Sequence, residues 1–177
     1  MDDQAVSQRS ADSRRAPALL CFDGSDDAAA IAKAGEFLAP RSAVVLTVWE
    51  PVRVWEAWDP VTIVSAPLGR LVANELDLDQ IVADVARDKA EHGTQLARAS
   101  GFDATSRVAC GKAWEAICEV AEELDAEPIV IGSRGLGRAQ SALLGSASSA
   151  VIAHAKRAVL VGPAHVAGGG AGPVRSE

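Results

Sequence analysis

The chain has 177 residues and an apolar fraction of 49%, enough to close one sizeable core and too much for a disordered protein. A net charge of −7, with 4% aromatic residues and no tyrosine, argues against nucleic-acid binding and against adsorption to anionic membranes. No apolar run reaches the 18 residues of a membrane span, and Met1–Arg15 lacks the apolar core of a signal peptide, so a cytoplasmic protein is expected.

Ala18–Phe22 is a short apolar run that ends in Asp23-Gly24-Ser25, the pattern of a buried strand entering a turn. Ser25 is a natural cap for the helix that follows, where Ala30, Ile31, Ala34, Phe37 and Leu38 share a face until Pro40. Ala43–Trp49 is β-branched and apolar, as a strand covered on both faces should be, and Pro51 stops it. Pro51–Leu76, with Trp55, Trp58, Pro60 and Pro67, reads as an irregular excursion. From Leu78, the residues Ile81, Val82, Val85, Leu96 and Ala97 recur at helical spacing until Gly101.

Thr105–Ala109 is a third strand, and Trp114, Ile117, Cys118, Ala121 and Leu124 form a further helical stripe. Pro128–Gly132 is a fourth strand. After a long loop, Gly145 opens a helix carrying Val151, Ile152 and Ala155, and Ala158–Val161 is the fifth strand. Residues 1–16 and the glycine-rich 164–177 are expected to be flexible tails around a single domain at 17–163. Strands alternating with helices predict a doubly wound α/β domain, whose ligands bind beyond the strand carboxyl ends where the winding reverses.

Cys21, Cys110 and Cys118 are odd in number and form no Cys-x-x-Cys pair, so buried reduced thiols are expected rather than a zinc or redox site. His92, His154 and His165 show no ligand spacing and are expected at the surface or at helix ends. Acidic residues run from Asp2 to Glu127 and then vanish until Glu177, while Arg134, Arg138, Lys156, Arg157 and Arg175 remain. An acidic protein with one locally positive region suits a small anion there.

Three standard nucleotide loops are missing: Gly-x-Gly-x-x-Gly, Ser-Gly-Gly-x-Asp-Ser, and Gly-x4-Gly-Lys-Ser/Thr, since Ala113 follows Gly111-Lys112. What the chain has is Gly132-Ser133-Arg134-Gly135, nine residues, then Gly145-Ser146-Ala147-Ser148 at the start of a helix. Glycines at these positions allow close backbone approach, and the serines add hydroxyl donors beside unpaired helix amides.

Gly132-x2-Gly135-x9-Gly145-Ser146 resembles the nucleotide motif of the ATP-binding branch of the universal stress protein family. The resemblance runs from about Pro17 to Pro163 and includes Asp23-Gly24-Ser25, Thr47-Val48, Gly111 before Trp114, and Ala158–Val161. It implies a five-stranded parallel sheet in the order 3-2-1-4-5, with helices on both faces. It further implies an ATP site in which Asp23 meets the ribose–phosphate region, directly or through Mg²⁺. Gly24 and Ser25 would bind the nucleotide alongside it, and the Val48 backbone would bond adenine. Gly132, Ser133, Arg134, Gly135, Gly137 and Arg138 would line ribose and phosphates, and Gly145, Ser146, Ala147 and Ser148 would hold the phosphate tail.

Many nucleotide-binding members carry a basic residue shortly before the third glycine, where this chain has Gln140-Ser141-Ala142. The expected function is an ATP-binding stress-response regulator, homodimeric through the last strand and read by a protein partner. The alternatives are a slow ATPase, for which no general base is evident, and a nucleotide-free dimerisation module.

Overall fold

In the computed structural model, residues 16–24, 27–51, 78–133 and 144–162 are described. Nine elements follow in order: β1 (Ala18–Cys21), α1 (Asp27–Leu38), β2 (Ser42–Trp49), α2 (Leu78–Ala99), β3 (Asp103–Cys110), α3 (Ala113–Glu123), β4 (Ile129–Gly132), α4 (Ser146–His154) and β5 (Val159–Gly162). The five strands form one parallel sheet in the order β3-β2-β1-β4-β5. Leu20 pairs with Val45 on one side and Val130 on the other, so β1 and β4 are neighbours at the point where the winding reverses.

Alternation along the strands sorts the core into two layers. Leu20, Phe22, Val45 and Val130 face α1 and α2, packing on Ile31, Ala34 and Ala97. Leu19, Cys21, Leu46, Ile129 and Ile131 face the other way, onto Ile117, Val120 and Ala121 of α3 and Val151 of α4. Leu19, Leu20 and Ile129 are fully buried, each worth about 2–3 kcal/mol in apolar burial.

The helical faces differ from the pattern read in the sequence. On α2, Ile81 and Val85 are about half exposed, whereas Ala83, Ala86, Ala90, Gly93, Thr94 and Ala97 are buried. The sheet selects small residues because α2 lies very close to it: a Cβ at Gly93 would come within 2.7 Å of Phe22 and 2.9 Å of Val45. Phe37 points to solvent at 71% exposure, with the Lys33 ammonium 5.3 Å from its ring centre, and Ile152 is also exposed. Cys21 is buried as expected, but Cys118 is half-buried and Cys110 exposed at the end of β3. His92 and His154 are exposed, the latter in the last turn of α4.

At the amino edge of the sheet the backbone is closed by one side chain. The Arg41 guanidinium donates to the Ala16 carbonyl, with Nε at 2.9 Å, and to the Glu127 carbonyl, joining the approaches to β1, β2 and β4. Glu127 N–H in turn donates to Pro17 O at 2.9 Å.

Candidate functional site

The carboxyl edge is built differently. The Phe22 N–H still bonds Leu46 O at 2.9 Å, and the buried Thr47 hydroxyl donates to Phe22 O at 2.8 Å. Those two bonds fix the end of β1 against β2 and leave Asp23, half-buried, at the strand tip. Gly24 then turns the chain at φ +86°, a conformation that any other residue would adopt with strain.

β2 is twice as long as β1 and runs three residues past Leu46, the last β2 residue paired with β1. Successive residues of a parallel strand turn their peptide groups alternately to the two sides. Leu46 O accepts from β1, and Trp49 O accepts from Gly111 on the β3 side. Val48 has the parity of Leu46, so its N–H and C=O face the space beyond the end of β1. That space is a notch in the sheet edge.

Across the notch stands β4. Its last carbonyls are already taken: Ser148 Oγ donates to Gly132 O at 2.7 Å, and Gly145 N–H donates to Ser133 O at 2.8 Å. These bonds seat the first turn of α4 on the tip of β4. The first α4 bond is Ser149 N–H to Gly145 O at 2.9 Å, so the amides of Ser146, Ala147 and Ser148 have no acceptor within the helix. Gly145 caps the helix with extended backbone (φ −69°, ψ 161°) and no side-chain bond, and no acidic residue lies in the first turn. Three such amides plus the helix dipole, worth about half a positive charge, give this terminus a chemistry suited to an anion. The Ser148 hydroxyl is spent on Gly132, which leaves its amide, not its side chain, for a ligand.

The sequence model of the universal stress protein family matches residues 16–163. The chain belongs to that family. Among solved structures, the universal stress protein UspA from Lactobacillus plantarum is 22% identical, with a TM-score of 0.63 over 84% of this chain and 98% of that one. A universal stress protein in complex with cAMP is 22% identical (TM-score 0.57; 84% and 97% covered). One from Archaeoglobus fulgidus in complex with dAMP is 20% identical (TM-score 0.54; 83% and 97% covered). At these identities the likeness is one of fold. No curated protein matches the chain.

In this universal stress protein the sheet brings Asp23, Gly24, Val48, Gly132, Ser133, Gly145, Ser146, Ala147 and Ser148 to one edge. Ser25, Arg134, Gly135, Gly137 and Arg138 lie outside the described residues, as do residues 1–15 and 164–177 and most of the Pro51–Leu76 excursion. Thr47 was legible as part of a strand ending but not as the side chain that ties off β1. Its signal was a hydroxyl inside an otherwise apolar strand, where a buried polar group needs a partner. Among the described residues no helix is long and apolar enough to cross a membrane, and no cluster of three His, Cys, Asp or Glu residues could hold a metal by itself.

Proposed function

We propose that this universal stress protein binds ATP across the β1/β4 switch point and acts as a nucleotide-controlled regulator. The observation that carries the reading is the pairing of two complementary edges around one notch. On one side are three helix amides without intrahelical acceptors, suited to phosphates. On the other are the Asp23 carboxylate, suited to ribose hydroxyls, and the outward peptide group of Val48, suited to the donor–acceptor edge of adenine. The cAMP and dAMP complexes of family members support an adenine nucleotide as the ligand class.

Asp23 offers one carboxylate, so a Mg²⁺ there would take its other ligands from phosphate and water, the usual arrangement for this ion. Partner capture and dimerisation through the outer edge of β5, where Val161 is 38% exposed, complete the proposal.

Gly145→Asp tests the reading. The cap backbone is compatible with aspartate, whose carboxylate would bond the first-turn amides and repel phosphate. Titration calorimetry should show ATP binding lost, with thermal stability kept or raised. Unchanged ATP affinity in this variant would refute the site. Mass spectrometry of the denatured protein tests occupancy, and recovery of the ligand as ATP argues against turnover.

A further inference from the structure

The motif has Gln140-Ser141-Ala142 shortly before its third glycine, with no basic residue there, and a lysine from elsewhere in the fold lies against the turn at the end of β1. Lys89 lies on α2, one turn before Gly93, and positions i and i+4 share a helix face. Because Gly93 lets α2 press onto Phe22 and Val45, Lys89 is carried over the β1 tip. Its stem crosses Gly24: a Cβ placed on that glycine would lie 3.2 Å from Lys89 Cε, 3.3 Å from Cδ and 3.5 Å from Cγ. The ammonium, one C–N bond of about 1.5 Å further on, is within about 5 Å of the same point.

The other cations of α2 are engaged: Arg87 pairs with Asp84, and Arg98 donates to Ala104 O at 3.0 Å. Among the described residues, Lys89 has no ion pair or hydrogen bond. His92, the next residue on this face, has its ring centre 5.9 Å from that of Phe22, so the whole turn of α2 leans on the end of β1.

We propose that Lys89 is a phosphate-contacting residue for a nucleoside polyphosphate, supplying from α2 a positive charge that the sequence does not place at 140–142. The inference rests on the nucleotide site proposed above. Lys89 approaches from the α1/α2 layer and the α4 amides from the opposite layer, so an anion at the notch has positive ends on both faces of the sheet. An ammonium is a compact charge on a flexible stem, and it also offsets the repulsion between Asp23 and the phosphates.

Lys89→Met keeps the linear stem over Gly24 and removes the charge; Lys89→Gln is the second variant should the first fold poorly. ATP, ADP and adenosine are titrated into the full chain and into each variant, with thermal midpoints recorded. The expected result is roughly tenfold weaker ATP binding, a smaller loss for ADP, and adenosine within twofold of wild type. Equal losses for ATP and adenosine would overturn the proposal, because they would mean that Lys89 merely braces the Gly24 turn. So would ATP affinity left intact in both variants. If the wild-type chain bound none of the three, the nucleotide site itself would fall; ATP binding that ignores Lys89 would sink this inference alone.

Discussion

The two edges of the sheet carry the same kinds of strand ends and treat them in opposite ways. At the amino edge, Arg41 collects the carbonyls of Ala16 and Glu127, and the backbone there is satisfied from within the chain. At the carboxyl edge, carbonyls are satisfied by Thr47, Ser148 and Gly145, but among the described residues the amides at the start of α4 and the outward peptide of Val48 have no partner. One edge is closed by a side chain for stability. The other is held in shape by its carbonyl bonds, and the proposed nucleotide site rests on that asymmetry.

The comparison predicts that amino-edge changes move stability alone, while carboxyl-edge changes move stability and nucleotide affinity together. The largest effect is expected at Gly162, where an added Cβ would lie 2.3 Å from Ala30 Cβ and 2.5 Å from its Cα. Gly162→Ala should cost about 3 kcal/mol in urea unfolding, since backbone must move. It should also weaken ATP binding, because Gly162 O accepts the Ser133 N–H at 3.0 Å. Arg41→Met should cost about 2 kcal/mol by removing the charge-assisted bonds to two carbonyls, with ATP affinity within twofold of wild type. A large affinity loss there would break the comparison.

Thr47→Val should cost about 1–2 kcal/mol by leaving Phe22 O without its hydroxyl donor, and should weaken ATP binding through a looser Asp23 tip. The smallest effect is one of rate. Thiol alkylation should proceed in the order Cys110, Cys118, Cys21, following exposure. Burial, then the nearby Glu122, raises the Cys118 thiol above its usual range, against a smaller opposing pull from Lys156. Labelling of Cys118 should therefore still be rising at pH 9. ATP should slow labelling of Cys21, the last residue of β1, if the ligand suppresses local opening of that edge.

Much of this was readable in the residues. Apolar runs located all five strands to within about two residues, and Gly132 and Gly145 marked the end of β4 and the cap of α4. The buried face of α2 was readable only in part: Leu96 and Ala97 do meet the core, but the amino-terminal half of the stripe does not. Ile81 and Val85 have the right period and the larger side chains, but the sheet admits only the smaller set from Ala83 to Ala97, because Gly93 draws the helix in. Helical periodicity gives a face; it does not give the distance to the neighbouring layer. Lys89 was hidden for the same reason, since its place over Gly24 follows from that close approach and from no local motif. The Ser148 hydroxyl, expected to face phosphate, turns instead to Gly132, because a buried carbonyl at a strand end takes the nearest donor.

The unequal lengths of β1 and β2 carry one last consequence. The recess beside Val48 is made by a four-residue strand stopping next to an eight-residue one, so its floor belongs to the rigid scaffold. Loop substitutions can retune what enters without changing how deep it goes. Two extra ladder residues on β1 would fill the recess from below and silence the site with every glycine still in place.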